Sequence, residues 1–365
     1  MLELAEIIRR HGPEYLARYG DRLLPSHRRA LADIEACRTA KLGGHVYLCE
    51  PCQHRQYEYH SCKNRHCPKC QNEQATRWLV RQQRWLLPTH YFLVTFTLPA
   101  ELRPLARSHQ KLIYKLLFQA AASSLQKLAL DPRFVGGQIG MVGVLQTWTL
   151  DIRYHPHIHF LIPGGGITPR GRWRFTEEDF FLPAPALSPL FRAKFRDALK
   201  QTPLLGSVPS IVWRQKWVVD CKAAGTGETV LKYFAPYIFR VALSNHRLVQ
   251  LEKGQVTFKC KDRKTKQTRL LTLPALQFIS RFLQHVLPDG FVKVRYYGFL
   301  HPKNRQLFER VLWALSGDPS PKLAHPSEST QGEEVSNPTR TPACPQCGRA
   351  MILIETLLPQ KRGPP

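Results

Sequence analysis

The residues best equipped for chemistry crowd into one short stretch, YHPHIHFLIPGGG, residues 154–166. In an extended strand alternate side chains share a face, so His155, His157 and His159 point one way and Ile158 the other. Two imidazoles two residues apart on a rigid strand can chelate one cation from one side and leave its far side open. Pro156 requires an edge strand or a strand start at that point, because it donates nothing to a ladder. About seventy residues on, Tyr233 and Tyr237 stand four apart in a segment of helical composition, which puts two phenols on one face. Breaking a phosphodiester while conserving its energy takes a protein nucleophile, and a phenol serves by forming a phosphotyrosine. A phenol is a modest nucleophile at neutral pH, so the phosphate needs a cation on its non-bridging oxygens. Gln146, on the preceding strand, is the expected third ligand, with Asp151 the alternative. Packed histidines and core aromatics are the ordinary reading of each motif alone; their coincidence in one very basic chain points to chemistry.

The cysteines make a second set. Six of the ten lie between Cys37 and Cys70, and two more form the Cys-x-x-Cys of Cys344 and Cys347. Such clustering suggests metal ligation in a reducing cytoplasm, with disulfides the lesser use. Cys49 and Cys52 are followed after fourteen residues by Cys67 and Cys70, a spacing that suits four thiolates closing on one structural Zn2+. A second zinc held by His27, Cys37, Cys62 and His66 is the companion expectation; otherwise Cys37 and Cys62 are small core residues. The pair Cys344 and Cys347 supplies only two ligands and would need His325 or a partner molecule. Lys63, Arg65, Lys69, Arg77, Arg81 and Arg84 nearby suit contacts to a DNA backbone, or, for the last three, a solvated helix face.

The elements that must position these residues follow from patterning. HYFLVTFTLP (90–99) alternates like a strand, residues 104–130 carry helical periodicity, and 140–150 and 157–162 read as neighbouring strands. Residues 211–220 read as another strand and 227–243 as a helix, kinked by Pro236. A basic hairpin at 255–273, a helix at 275–287, a strand within 291–300 and a last helix at 304–315 complete an α+β pattern with a partly antiparallel sheet. Three zones emerge: a helical lead with the cysteine-rich unit (1–88), a mixed region (89–316), and a flexible Pro- and Ser-rich linker with a short tail (317–365). With 365 residues and 43% hydrophobic content the chain can bury real cores, and a net charge of +26 favours nucleic acid over an anionic membrane as partner. No secretory signal opens the sequence, and its most apolar stretch is too short to span a bilayer.

Taken in order, SCKNRHCPKCQ (61–71), HPHIHFLIPGGG (155–166), the tyrosine pair and SNHRL (244–248) resemble transposases of rolling-circle bacterial insertion sequences, the insertion-sequence-91 group, over roughly residues 25–315. The resemblance implies an HUH endonuclease-type antiparallel sheet flanked by helices, preceded by a small zinc-binding domain. It implies that the motif's two histidines fall on His157 and His159, that Tyr233 and Tyr237 match the nucleophile positions, and that Mg2+ or Mn2+ serves cleavage. The expected activity is nicking of single-stranded DNA at element ends through a 5′-phosphotyrosine, then transfer to a new 3′-hydroxyl, in a bacterial cytoplasm on the nucleoid. Tyr233 is expected to attack first, since it precedes the Pro236 kink. Asn245–Arg247 either contact DNA or support the site. Residues 259–269 grip phosphate or form a solvated hairpin, and Trp213, Trp217, Tyr296 and Tyr297 stack on bases or fill the core. Two rivals stand: a rolling-circle replication initiator or relaxase, for which no GxxxxGK[ST] helicase loop is present, and a non-catalytic zinc-ribbon protein binding nucleic acid.

Overall fold

A computed structural model describes residues 1–70, 86–239, 241–262, 265, 267–316 and 341–360, without the side chains of residues 228, 232, 233, 235, 236 and 239. The helix expected from Gln71, with Arg77, Arg81 and Arg84, lies outside the described residues, as do His325 and the expected linker through residue 340.

Two helices, α1 (Leu4–Tyr19) and α2 (Pro25–Ala36), open the chain. Pro25 begins α2 where its missing N–H would have no helical acceptor anyway. The strands β1 (Gly44–Leu48) and β2 (Arg55–Tyr59) form an antiparallel hairpin. The central region follows: β3 (His90–Thr97), α3 (Gln110–Ala129), β4 (Met141–Trp148) and β5 (Tyr154–Pro163), then a small hairpin of β6 (Gly165–Ile167) and β7 (Trp173–Phe175). After it come α4 (Ala184–Lys200), β8 (Val219–Thr226) and α5 (Gly227–Phe239). A three-stranded sheet of β9 (Leu248–Glu252), β10 (Gln255–Lys261) and β11 (Thr268–Pro274) leads into α6 (Ala275–Leu283). Last are β12 (Val294–Tyr297), α7 (Arg305–Ser316) and, in the tail, β13 (Ile352–Leu357).

The main sheet has the order β12-β4-β5-β3-β8, with every neighbouring pair antiparallel. The histidine strand β5 is therefore central and covered on both faces. Period-2 alternation sends Phe92, Val94, Phe96, Ile158, Phe160 and Ile162 to one side, where they join Leu117 and Phe118 of α3 and Phe191 and Phe195 of α4. Each such fully buried side chain is worth roughly 1.5–3 kcal/mol of transfer free energy. The opposite face sends Tyr91, Leu93, Val142, Val144 and Leu161 against Val230, Phe234 and Ile238 of α5. This is the α+β arrangement expected, a largely antiparallel sheet with helices on both sides.

Pro156 is neither on an edge strand nor at a strand start: it is the third residue of the central strand β5, tolerated where the β4–β5 register shifts between the Gln146–His157 and Trp148–Tyr154 pairs. On the β3 side it lies beyond the last registered pair, Thr97 with His157, and its carbonyl accepts the Leu98 N–H at 3.0 Å, so no ladder bond is lost. The strand expected at 211–220 begins only at Val219. Ile211–Arg214 instead form one helical turn, because Val212 and Trp217 are both drawn into the core and the Trp217 Nε1–H donates to the Val212 carbonyl at 2.9 Å.

A second core joins sequence-distant segments. Leu4, Ile7 and Ile8 of α1 and Leu31 and Ile34 of α2 pack with Val256 and Phe258 of β10 and Phe278, Ile279 and Phe282 of α6. The tail strand β13 adds to β1 antiparallel, making a three-stranded sheet of order β13-β1-β2. No helix among the described residues is long and apolar enough to cross a membrane.

Candidate active site and metal centres

Register decides what the histidines meet. Directly opposite His157 stand Gln146 on β4 and Thr97 on β3; opposite His159 stand Val144 and Thr95. Directly opposed residues of an antiparallel ladder project to the same face. Gln146, His157, His159 and Thr95 therefore share the face that α5 covers.

The three imidazoles differ in role. His155 has its Nδ1 2.7 Å from Arg103 Nη2, and a guanidinium only donates, so this Nδ1 is an acceptor. His157 has the opposite polarity: its Nδ1 donates to the His155 carbonyl at 2.6 Å, which puts the ring's lone pair on Nε2. The Nδ1 of His159 bonds Thr95 Oγ1 at 2.9 Å, which leaves Nε2 as the ring nitrogen not engaged by that bond. The rings of His157 and His159 are 4.8 Å apart, centroid to centroid, and both residues are buried. Burial, reinforced by the neighbouring His157, holds His159 well below the usual imidazole range. A neutral ring is what a metal requires, and outer hydrogen bonds of this kind fix its tautomer and direction.

Helix α5 lies over this pair. The ring of Tyr237 sits 4.3 Å from that of His159 at an interplanar angle of 49°. The buried Gln146 donates from Nε2 to the Tyr237 carbonyl at 3.3 Å, which leaves the carboxamide oxygen Oε1 as its acceptor atom. Tyr233 occupies the position one turn earlier on α5; its side chain lies outside the described residues. The helix runs from Gly227 to Phe239, so Pro236 does not end it. Lys293, just before β12, donates from Nζ to the Ile238 carbonyl at 2.7 Å and so fastens the end of α5 to the sheet. Burial, with Arg65 nearby, brings this ammonium down to about 7.

Asp151, the alternative third ligand, is employed elsewhere. It accepts from Thr149 Oγ1 at 2.5 Å and pairs with Arg153 Nε at 2.6 Å, holding the turn between β4 and β5. The SNHRL segment is a fastener: Asn245 Oδ1 accepts the Leu4 N–H at 3.1 Å. Arg247 donates to the carbonyls of Leu150, Ala242 and Lys259. Trp217 is core, with Trp213 stacked beside it at 6.0 Å. Two of the cations expected on DNA are also committed internally, Arg65 to the carbonyls of Phe291 and Pro288 and Lys69 to Glu3 at 2.7 Å.

Sequence spacing missed Thr95, Arg103 and Lys293. Thr95 left one trace, a polar residue interrupting the apolar run from Tyr91 to Phe96; the other two are brought in only by tertiary packing.

The cysteines group differently from their spacing. The expected set of Cys49, Cys52, Cys67 and Cys70 does not assemble. Cys67 and Cys70 join Cys37 and Cys62, with all four sulfurs within 4.8 Å of one another. Cys49 and Cys52 join Cys344 and Cys347 in the same way. The reason is β2, which stands between the two knuckles; five residues of strand span about 17 Å. His27 and His66 belong to neither group. His66 Nε2 instead accepts the Leu287 N–H at 3.2 Å, and burial keeps the ring well below its usual range.

The chain thus combines cysteine groups able to hold metal with a sheet that carries paired histidines, and the comparisons place it in the class of transposases. It matches the family model described as "Transposase zinc-binding domain" over residues 7–98 and the one described as "Putative transposase" over residues 140–306. The chain is 38% identical to the "Putative transposase y4qJ" of Sinorhizobium fredii, over all of its own length and 97% of that protein. It is 28% identical to the "Transposase for insertion sequence element IS801" of Pseudomonas savastanoi pv. phaseolicola, over 79% of this chain and 74% of that one. The chain belongs to the IS91 family of transposases. No solved structure matches it. The zinc-binding match and the cysteine groups together support structural zinc.

Proposed function

We propose that this transposase cuts single-stranded DNA at the ends of its element by attack of an α5 tyrosine, on a sheet of the HUH endonuclease type. The 5′ end is kept as a phosphotyrosine and passed to a new 3′-hydroxyl. The observation that carries the reading is the seat of the Tyr237 ring on His159, beside a histidine whose tautomer is already set.

His157, His159 and Gln146 would hold Mg2+ or Mn2+, and their donors fit: two imidazole nitrogens and a carboxamide oxygen on one face. Such an ion draws charge from the phosphate's non-bridging oxygens. The rest is done by the chain's own groups. The phenol oxygen bonds to phosphorus as the bond to the 3′ oxygen breaks; the phenol gives up its proton and the released oxygen takes one. Joining reverses these steps, with a target 3′-hydroxyl restoring the phenol. One phosphodiester is exchanged for another through an ester of similar kind, so no external energy source is needed. A second tyrosine one turn away would let a second strand be cut before the first end is released.

In this reading residues 89–316 cut, residues 1–88 hold DNA, and the net charge of +26 supplies attraction to the nucleoid of a bacterial cytoplasm. Incubation with Mn2+ and a labelled single-stranded oligonucleotide carrying an element end should give a covalent adduct that maps to Tyr233 or Tyr237. Tight binding with no adduct would return the chain to a non-catalytic zinc-ribbon role.

A further inference from the structure

We propose that Cys49, Cys52, Cys344 and Cys347 form a second zinc site, split between the two ends of the chain, that clasps residues 341–360 onto β1. The zinc-binding family match ends at residue 98, so it includes Cys49 and Cys52 but leaves Cys344 and Cys347 outside it.

The sulfur geometry fits a tetrahedral ion. Cys49 and Cys347 sulfurs lie 3.4 Å apart, Cys52 and Cys344 3.4 Å, and Cys52 and Cys347 3.7 Å. Four thiolates about 2.3 Å from a zinc ion stand about 3.8 Å from one another. All four cysteines are free thiols, far beyond the ~2.05 Å of a disulfide.

The two halves are built alike. Cys49 N–H donates to the His54 carbonyl at 2.9 Å and accepts, at its own carbonyl, the Gln53 N–H at 2.7 Å. Cys344 repeats both bonds, to the Arg349 carbonyl at 2.7 Å and from the Gly348 N–H at 2.8 Å. In each turn the residue after the second cysteine is left-handed, Gln53 at φ 57° and Gly348 at φ 72°. For Gln53, which has a Cβ, that conformation is sterically costly. The cost is kept where it aims two sulfurs at a common point.

Apolar packing alone holds the tail weakly. Its local core is Cys49, Cys344 and Met351, with Tyr47 and Cys52 against them, while Ile352, Leu353 and Ile354 of β13 are all more than 40% exposed. Ordering the tail's backbone carries an entropic cost that so small a cluster does not offset. Zinc–thiolate bonds supply what is missing, because ligand binding is folding free energy in such units.

The test uses the full chain with a specific protease sequence inserted between residues 317 and 340. Elemental analysis should find two zinc ions per chain. After cleavage the tail peptide should co-elute with the body and separate when a strong chelator is added. Cys344→Ser with Cys347→Ser should bind one zinc and lose its cleaved tail. One zinc in the unsubstituted chain, a tail that leaves while two zincs remain, or a tail that stays after both are stripped would each overturn the clasp. The cleavage arm alters no cysteine, so misfolding of the double variant does not blur the answer.

Discussion

The Tyr237 ring rests 4.3 Å from the His159 ring, while the same tyrosine's carbonyl is held by Gln146 from the neighbouring strand. One residue of α5 is thus gripped by two of the three groups proposed to hold the cleavage metal. Helix and metal seat form one unit, and a change in either is expected to register in the other.

Thr95 offers the first test. It touches no substrate in this reading; it orients His159 through Nδ1. Thr95→Val keeps the shape and removes that bond, so nicking should fall about 10–100-fold and recover in part at higher Mn2+. His159→Ala should abolish nicking outright while leaving oligonucleotide binding largely intact. Wild-type nicking by Thr95→Val would reduce the residue to packing.

The order of attack is the second. Sequence reasoning put Tyr233 first because a kink at Pro236 would turn Tyr237 away, yet the helix continues through that proline and Tyr237 lies at the histidines. We therefore expect Tyr237→Phe to lose the initial adduct, by about 100-fold or more given the cost of removing a nucleophile. Tyr233→Phe should form it and fail at transfer. An adduct that persists on Tyr233 in the Tyr237→Phe protein would restore the earlier order.

Acid sensitivity should trace to His285. Its Nδ1 bonds Thr147 Oγ1 and its Nε2 the Ile152 carbonyl, each at 3.2 Å, and burial pushes the ring down to about 4. An unfolded histidine titrates near 6.5. Between those values only the unfolded chain takes up the proton, so stability is full above about pH 6.5 and falls as pH drops toward 4. The loss is on the order of 3 kcal/mol. Urea midpoints at pH 7.5 and 4.5 should show it in the native protein but much less in His285→Gln; equal losses in both would place the sensitivity elsewhere.

Arg247 should behave as a structural clamp. Three carbonyls on three segments depend on one planar guanidinium. Arg247→Lys cannot reach all three, and a loss of about 2 kcal/mol is expected, read as a lower unfolding midpoint in urea with no change in the sequence preference of binding. Altered DNA preference at unchanged stability would make it a contact residue instead.

The inner zinc should matter more than the outer. Cys37, Cys67 and Cys70 lie in the core shared by α1, α2 and α6. Cys67→Ser should therefore lose metal and solubility together, whereas Cys344→Ser should leave that core folded; comparing soluble yield and melting temperature of the two decides it.

What could be read in advance was local. The alternation through HYFLVTFTLP and HIHFLI placed β3 and β5, and Gln146 could be chosen because adjacent strands of similar length tend to pair. The cysteine partnership was hidden, since Cys-x-x-Cys reports that two sulfurs converge and is silent about which other pair they find. Only the β1–β13 ladder supplies that answer, and its partners are some three hundred residues apart. Trp217 misled in the same way: a β-rich run looked like a strand until core burial bent its first half into a helical turn.

The ladder between β1 and β13 also sets a timetable. At roughly 5–20 residues per second, a ribosome that has produced Gly44 needs on the order of 15–60 seconds to reach its partner Leu357. Through that interval one edge of β1 has no native strand to receive, and such an edge will pair with whatever extended segment is nearest. The newborn protein is therefore open to mispairing along β1, and that opening closes only once β13 has been made.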